Sequence, residues 1–392
     1  MSDNKPNTIN HSPSANHQAP STILVTGGTG LVGSGLIKKL LSKGYKNILS
    51  TYHSRKPIAG QVNFVQCDLR EQKQVDKLFD VYRPEYVFLA AAKVGGILAN
   101  NTYKAEFIYD NLAIALNVIH SAYKYGVKKL LNLGSSCIYP KNCPQPMKEE
   151  HLLTSSLEPT NEPYAIAKIS AIKLVRYYNE QYDTNFISVM PTNLYGPGDN
   201  FNLETSHVLP AFIRKFHLAK MLQENNWDGL LKDLKTYPIG FGLDDKIDWK
   251  KESVLKALEK VGIFAKGLDV KVVLWGSGGV YREFLHVDDL ADACVFLIEN
   301  VEAEDMRKLS PDFFVNVGTG EDIKLRNLAL LVKETVGFKG EIVWDSSRPE
   351  GVARKLLDIK KITSLGWRPK INLEQGIRVF YSYYCSYVNQ RG

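Results

Sequence analysis

Tyr164 and Lys168 are the side chains of this sequence best suited to exchanging a proton with a carbonyl compound. They are four residues apart, so the helix that the pattern predicts over residues 162–182 would present both on one face. A phenol titrates near ~10, and a neighbouring ammonium favours its ionised form. Ser135 or Ser136, after an apolar run, supplies a hydroxyl that can polarise the carbonyl. The pattern is typical of a reductase, although two neighbours on a surface helix would show the same spacing.

The glycines of Gly27-x-x-Gly30-x-x-Gly33 form a second pattern with chemical meaning. An apolar run of strand length, residues 22–26, precedes them, and a helical pattern over residues 32–43 follows. Glycine at these places permits a tight turn, close approach of a pyrophosphate, and close packing of the helix on the strand. The free amides at the helix N-terminus attract phosphates. We therefore predict a dinucleotide site.

The residues after the second and third predicted strands bear on the choice of dinucleotide. Strand 47–52 is followed by His53, Arg55 and Lys56, without the carboxylate that would hold the ribose 2′-hydroxyl of NAD. Because cations suit a 2′-phosphate, the sequence favours NADP(H), although a solvated basic loop has the same composition. Asp68 ends the third strand and is placed either to reach the adenine amino group or to cap the next helix.

Composition restricts the class of protein. The 392 residues are 44% hydrophobic and 23% charged, and their net charge of +7 is spread along the chain. No basic tract is interleaved with aromatic residues, so we expect no nucleic-acid partner and interpret the charge as suited to an anionic small substrate, or simply to solubility. No run of eighteen apolar residues exists, so we expect no membrane span.

The five cysteines show no paired metal-ligand spacing, so we predict no metal site. Their odd number, without a signal peptide, suggests a reducing cytoplasm. Residues 1–20 are polar and have no apolar segment, which predicts a disordered tail.

Apolar runs of strand length alternate with helical patterns through the first half of the chain. This alternation predicts an α/β fold with a doubly wound parallel Rossmann sheet, whose ligands lie beyond the carboxyl ends of the strands. The predicted strands lie at residues 22–26, 47–52, 63–68, 86–92, 129–135 and 186–192.

We predict two parts for the chain. Residues 21–194 would form the NADP-binding Rossmann domain, to which residues 284–319 return. Residues 195–283 and 320–392 would form a smaller α/β lobe that binds the substrate. Within that lobe, residues 221–268 show helical spacing and are interpreted as a helical insertion, either a lid, an oligomer contact or a surface elaboration.

Several longer segments resemble the extended short-chain dehydrogenases/reductases, and more narrowly the GDP-L-fucose synthases among them. Gly-x-x-Gly-x-x-Gly and Tyr-x-x-x-Lys are common to the superfamily, whereas Ser-Ser-Cys-Ile-Tyr-Pro and Ser-His-Val are far more specific. The resemblance covers roughly residues 22–390 and is interrupted by residues 221–268. It is carried by residues 90–97, 133–140, 157–168, 190–197, 199–201, 206–210, 275–278 and 282–289.

The resemblance also gives a role to Cys137 and His207, which a reductase alone would not need. A thiol and an imidazole titrate near ~8.5 and ~6.5, so both suit acid–base work beside a ketone. Taken singly, Cys137 would be interpreted as a buried small cysteine and His207 as a histidine at the start of a helix. The family match implies instead that Cys137 is the base and His207 the acid of an epimerisation.

The implied activity is 3,5-epimerisation of GDP-4-keto-6-deoxy-D-mannose, followed by NADPH-dependent reduction at C4 to GDP-L-fucose. Tyr164 would protonate the new alkoxide, Lys168 would assist it, and Ser135 would hold the ketone oxygen. Such an enzyme is expected to be a cytoplasmic homodimer. The implied GDP contacts are Lys215, Trp275 and Arg282. The implied cofactor contacts are Gly27, Gly28, Gly30, Leu31, Val32, Gly33, His53, Arg55, Lys56, Asp68, Leu133, Gly134, Ser136, Lys168, Pro191, Asn193, Leu194 and His207.

Two other functions fit part of the sequence. A nucleotide-sugar 4-epimerase or dehydratase of the same superfamily would hold NAD tightly and consume none, but the basic loop and the Cys137/His207 pair argue against it. A non-catalytic NADP-binding sensor is the other alternative. Such proteins often lose the tyrosine or the lysine, whereas this chain keeps Ser135, Tyr164 and Lys168.

Overall fold

The computed structural model describes residues 22–57, 60, 62–348 and 351–391 of the chain. The predicted tail, residues 1–20, lies outside the described residues.

The first half of the chain alternates strands and helices, as the sequence pattern predicts. The strands are β1 (Ile23–Val25), β2 (Ile48–Tyr52), β3 (Asn63–Gln66), β4 (Tyr86–Leu89), β5 (Lys129–Leu133), β6 (Phe186–Pro191) and β7 (Asn193–Tyr195). The helices are α1 (Leu31–Ser42), α2 (Gln72–Tyr82), α3 (Ile97–Thr102), α4 (Lys104–Lys124) and α5 (Glu162–Tyr182).

The second half mixes shorter strands with helices. Its strands are β8 (Ile263–Lys266), β9 (Asp269–Trp275), β10 (Tyr281–His286), β11 (Phe314–Val317), β12 (Asp322–Lys324), β13 (Glu341–Asp345) and β14 (Arg354–Lys355). Its helices are α6 (Val208–Gln223), α7 (Trp227–Thr236), α8 (Lys251–Lys260), α9 (Val287–Asn300), α10 (Ala303–Leu309), α11 (Leu325–Val336), α12 (Lys360–Ser364) and α13 (Leu373–Arg391).

Seven strands of the described chain form one sheet in the order β11-β6-β5-β4-β1-β2-β3, and every pairing is parallel. The strand order changes direction between β1 and β4, which is the usual ligand crevice of such sheets. Strands β1, β5, β6 and β11 are buried along their whole length, as expected where helices cover the sheet. The predicted doubly wound α/β fold is confirmed.

Helices flank this sheet in packed pairs. Helix α1 packs against α9, while α4 packs against both α2 and α5. Their apolar faces meet the strands in one core, to which α1 contributes Leu36 and Leu40, and α9 contributes Leu290 and Cys294. Residues 287–300 and 314–317 therefore lie with the sheet, although residues 195–283 of the other lobe precede them in the chain.

The smaller lobe has its own core and two small sheets. One sheet has the order β13-β9-β8, and the other pairs β10 with β12, β14 and β7. The stretch 221–268, predicted to be helical, begins within α6 and contains α7 and α8, but it also contains the strand β8. Strand β8 forms an antiparallel hairpin with β9, because the buried side chain of Ile263 faces Val272 across the pair.

A fully buried arginine connects the stretch 221–268 to the rest of the lobe through hydrogen bonds. Arg214 on α6 donates from Nε to Asp233 Oδ1 at 3.0 Å, and both side chains are inaccessible to solvent. Its guanidinium also donates to the carbonyl oxygens of Phe201 (2.9 Å), Pro238 (2.6 Å) and Tyr237 (2.6 Å). One side chain thus joins α6, α7, the segment after α7 and the loop before α6.

We predict that Arg214→Met lowers the free energy of unfolding by about 3–5 kcal/mol, because it leaves the carboxylate of Asp233 buried without its cation. Urea unfolding would measure the loss. The control is Arg378→Met, which removes an exposed ion pair with Glu374 on α13 and should cost less than about 1 kcal/mol. Equal losses in the two variants would contradict the assignment.

Candidate active site

A cavity of about 1530 Å³ opens at the carboxyl edge of the large sheet and is closed by the smaller lobe. Small-molecule sites are typically about 300–1,000 Å³, so this cavity has room for more than one nucleotide-sized ligand. Its wall includes the turn after β1, the segment after β5 and the start of α6. The parallel sheet and the smaller lobe therefore share one site.

The glycine turn forms a cradle that fits a pyrophosphate. Gly27 has a φ of +70°, and a Cβ there would lie 3.0 Å from Ala91 Cα. A Cβ on Gly33 would lie 2.2 Å from the carbonyl oxygen of Gly27, so only glycine allows the turn to pack on α1. Helix α1 begins at Leu31, and its N-cap is Gly30, which has no side chain to cover the first amides. These amides are left for an anion.

The basic edge predicted for the 2′-phosphate contains one cation that sequence analysis missed. His53 and Arg55 line the cavity, and so does Arg70. Arg70 donates to Asp68 at 2.7 and 2.9 Å, and this hydrogen bonding lowers the pKa of Asp68 to about 2. Helix α2 has Glu71 at its N-cap position, so Asp68 does not cap it and holds Arg70 instead.

Most other predicted cofactor contacts also line the cavity. They are Gly27, Gly30, Leu31, Val32, Gly33, Asp68, Leu133, Gly134, Ser136, Lys168, Pro191, Asn193, Leu194 and His207. Gly28 and Lys56 are not among the lining residues. Gly28 faces the sheet: its amide donates to Thr51 O at 2.9 Å, and a Cβ would lie 1.9 Å from Ser50 Oγ.

Lys168 projects from α5 into the base of the cavity. Its ammonium donates to the carbonyl oxygen of Leu133 at 2.8 Å, and it lies 5.7 Å from the centre of the Tyr164 ring. Burial lowers the pKa of Lys168 to about 8. The helix spacing thus places the two side chains together, as the sequence predicts.

The pKa of Tyr164 shifts in the direction opposite to the one expected from the sequence. Burial raises the pKa of the Tyr164 phenol, the Cys137 thiol raises it further, and a hydrogen bond with Ser135 opposes the rise. The interpretation gave the leading effect to the Lys168 ammonium, but removal of the ring from water is larger. The phenol is therefore neutral at physiological pH, the form that can donate a proton.

Cys137 is the other reactive side chain at the end of β5. Burial would raise the pKa of its thiol, but the positive charge of Lys355, hydrogen bonds with Ser135 and Lys355, and the charge of Arg282 together lower it below the ordinary value. Lys355 Nζ lies 3.3 Å from the sulfur. All five cysteines are described and free. Burial raises the pKa of the other four, Cys67, Cys143, Cys294 and Cys385.

His207 reaches the cavity from the smaller lobe. It occupies the N-cap position of α6, so its backbone serves the helix while its ring lines the cavity. The residue is exposed to solvent in the cavity, but the surrounding walls partly desolvate its imidazole and lower the pKa, and the positive charge of Lys355 lowers it further. Cys137 and His207 thus come from different parts of the chain to one cavity and share one cationic neighbour.

The three residues predicted for the nucleotide end also line this cavity. Lys215 on α6 donates to Val273 O at 3.3 Å, and burial lowers its pKa to about 8. Trp275, at the end of β9, is 45% exposed, and the guanidinium of Arg348 lies 5.3 Å from its ring centre. Arg282 is the register partner of Lys355 in the adjacent strand β14.

Arg348 and Lys355, like Arg70, were not found by sequence analysis. Neither lies in a recognisable motif, and Lys355 is 218 residues from Cys137 in the chain. Only the pairing of β14 with β10 brings it to the cavity.

The described residues contain neither a cluster suited to a metal ion nor a helix suited to a membrane. Side chains of His, Cys, Asp and Glu do not gather there in groups of three that could hold a metal ion. Helices long and apolar enough to cross a membrane are also absent from that part of the chain.

The parallel sheet, the glycine cradle and the Ser135, Tyr164 and Lys168 side chains at one edge define an extended short-chain dehydrogenase/reductase. The chain belongs to the NAD dependent epimerase/dehydratase family, whose model matches residues 23–233 and 253–318. The unmatched residues 234–252 run from the end of α7 to the start of α8, within the stretch interpreted as an insertion.

Within this family, the chain is similar to proteins that act on GDP-linked sugars. The chain is 45% identical over 384 residues to GDP-L-fucose synthase 1 of Arabidopsis thaliana, covering 98% of this chain and 99% of that protein. A GDP-6-OMe-4-keto-L-xylo-heptose reductase from C. jejuni is 39% identical, with a TM-score of 0.83 over 95% of this chain and 99% of that one. A GDP-L-fucose synthetase from Naegleria fowleri, solved with NADP, is 26% identical, with a TM-score of 0.71 over 96% of each chain. The predicted resemblance to GDP-L-fucose synthases is confirmed.

We predict that Arg55→Ala weakens binding of NADPH about tenfold and leaves binding of NADH unchanged, because the variant loses one charge-assisted contact with the 2′-phosphate. Fluorescence titration of the folded variant with each cofactor would measure both dissociation constants. Lys56→Ala is the control, since Lys56 is a neighbouring cation that does not line the cavity. Equal weakening by the two variants, or equal affinity of the parent protein for both cofactors, would contradict the prediction.

Proposed function

We propose that this chain epimerises GDP-4-keto-6-deoxy-D-mannose at C3 and C5 and then reduces C4 with NADPH, giving GDP-L-fucose. The observation that carries the proposal is the thiol of Cys137, which lines the cavity with Tyr164, lies 3.3 Å from Lys355 Nζ and has a lowered pKa. A reductase alone needs only the tyrosine. A thiolate in the same pocket suits proton abstraction next to the ketone that the tyrosine serves.

The cofactor assignment rests on the fit of the cradle and on the cations at its far end. Backbone amides at the start of α1 would hold the pyrophosphate, and Arg55 and Arg70 would face the 2′-phosphate. The Naegleria relative, solved with NADP, agrees with this choice. When bound, NADPH supplies the hydride that C4 receives.

The first stage needs a base, an acid and a group that holds negative charge. The Cys137 thiolate removes a proton from C3 or C5, and the electron pair moves onto the neighbouring ketone oxygen. Ser135 donates a hydrogen bond to that oxygen and stabilises the enolate. His207 returns a proton to the carbon from the smaller lobe. Return of the proton on the other face of the ring inverts the carbon and leaves Cys137 as a thiol and His207 as a neutral imidazole. A proton then passes from Cys137 back to His207, through solvent, before the second carbon is inverted.

The second stage needs a proton donor at the same oxygen. Tyr164 is neutral because burial raises the pKa of its phenol, so it donates its proton to the C4 alkoxide as this forms. Lys168 lies beside the ring and stabilises the resulting phenolate. The raised pKa therefore suits reduction, since the donor form is lost only at strongly alkaline pH.

Two finer features complete the proposal. Residues 21–194 with 284–319 bind the cofactor, and residues 195–283 with 320–392 bind the GDP-sugar through Lys215, Trp275 and Arg282. The protein acts as a cytoplasmic homodimer. Large side chains exposed on the neighbouring helices α4 and α5 support a dimer face, namely Tyr109, Leu116, Tyr123, Tyr177 and Tyr182.

We expect that incubation with GDP-4-keto-6-deoxy-D-mannose and NADPH gives GDP-L-fucose by NMR, with equal loss of absorbance at 340 nm. Tyr164→Phe removes the proton donor and should lower turnover at least about 100-fold. Tyr82→Phe is the control, because Tyr82 lies at the end of α2, is half-buried and does not line the cavity. A product formed without consumption of NADPH would instead indicate a redox-neutral epimerase.

We also expect that Cys137→Ser blocks solvent deuterium uptake at C3 and C5, because a serine hydroxyl is too weak a base to replace the thiolate. Uptake followed by NMR should fall about 100-fold, while NADPH binding is unchanged. Cys385→Ser, on α13 outside the cavity, serves as the control. Normal uptake in folded Cys137→Ser would remove Cys137 from the mechanism.

A further inference from the structure

The short strand β14 carries a lysine to the sulfur of Cys137. Lys355 pairs with Arg282 of β10 in parallel register, and its Nζ lies 3.3 Å from Cys137 Sγ. None of the proton transfers proposed above uses the ammonium of Lys355.

Hydrogen bonds on both sides fix the strand that bears Lys355. Leu356 donates to Gln145 Oε1 at 2.9 Å and accepts from Met147 N at 2.7 Å. Leu357 donates to the buried carboxylate of Glu283 at 2.9 Å. The backbone next to Lys355 is therefore held between β10 and residues 145–147, so the ammonium does not reach the sulfur by chance orientation of a loose loop.

The charged and titratable groups around Cys137 come from three elements. Lys355 on β14 and Arg282 on β10 are cations, and Tyr164 on α5 is a neutral phenol. Lys355 has the larger effect of the two cations, since its charge and its hydrogen bond both act on the sulfur. Burial opposes an anion here, so the thiolate depends on these cations and on the hydrogen bond with Ser135.

The same ammonium acts on the partner of Cys137 in the proposed epimerisation. Partial desolvation by the cavity walls lowers the pKa of His207, and the charge of Lys355 lowers it further. One cation thus favours the anionic form of the thiol and also makes the protonated imidazole a stronger acid.

We propose that Lys355 is a further catalytic residue, whose ammonium pairs with the Cys137 sulfur and keeps it ionised to abstract protons from the sugar. The consequence at C3 and C5 rests on the proposed function, whereas the ion pair itself does not.

Alkylation of the full-length protein by iodoacetamide, without substrate, tests the ion pair. Peptide mass spectrometry would follow Cys137 against pH, because only the thiolate reacts. Lys355→Met removes the positive charge, so the alkylation midpoint should move to higher pH and the rate at pH 7 should fall roughly tenfold or more. Lys355→Gln should match Lys355→Met, and Lys355→Arg should keep most of the parent rate.

The matched control is Lys324→Met. Lys324 lies on β12, on the other side of β10, packs on the Tyr281 ring and does not line the cavity. Its loss should leave the Cys137 profile unchanged. An unchanged profile in folded Lys355→Met and Lys355→Gln, with NADPH binding intact, overturns the proposal.

Deuterium uptake at C3 and C5 then tests the catalytic consequence. It should slow roughly tenfold in Lys355→Met, with NADPH affinity unaltered. A shifted alkylation profile with normal uptake would show an ion pair without a catalytic role and overturn that part. If the parent protein exchanges no deuterium at all, the proposed function fails, while alkylation still judges the Cys137–Lys355 pair.

Discussion

Parallel hydrogen bonding of the seven-stranded sheet is the constraint on which the site depends. Every pairing in the sheet β11-β6-β5-β4-β1-β2-β3 is parallel, so all carboxyl ends emerge at one edge. The glycine turn follows β1, Ser135 and Cys137 follow β5, and Asn193 follows β6. Groups more than one hundred residues apart therefore meet without any direct bond between them. A shift of one strand by a residue would turn its side chains away.

Removal from water then decides how each of these groups ionises. Burial raises the pKa of Tyr164 and lowers that of Lys168, so both move toward the neutral form. Cys137 moves the other way, because the charge of Lys355, hydrogen bonds with Ser135 and Lys355, and the charge of Arg282 together outweigh the effect of burial. The ammonium at 3.3 Å is the strongest of these opposing groups. A neutral acid and a thiol with a lowered pKa thereby lie side by side.

The smaller lobe completes this site and is itself stabilised by the buried contacts of Arg214. It supplies His207, Lys215 and the short strand that bears Lys355. Arg214 holds α7 and the segment after it against the loop before α6, and this loop leads into His207. Residues 234–252, which the family model does not match, are thus attached to a wall of the site. Arg214 and Asp233 are both fully buried, so water does not compete for the ion pair that makes this attachment.

The sequence by itself determined the alternation of strands and helices, the glycine turn and the Tyr164/Lys168 pair. These features depend on neighbours within a few residues, such as apolar periodicity, glycine geometry and one helical turn. It also indicated Cys137 and His207, but only through a family resemblance. Tertiary structure alone decided that Lys355, Arg70 and Arg348 join the site. It also decided that the inserted stretch contains the strand β8 and that burial has the largest effect on the pKa of Tyr164. Burial and long-range strand pairing sum contributions from the whole fold, so no local pattern contains them.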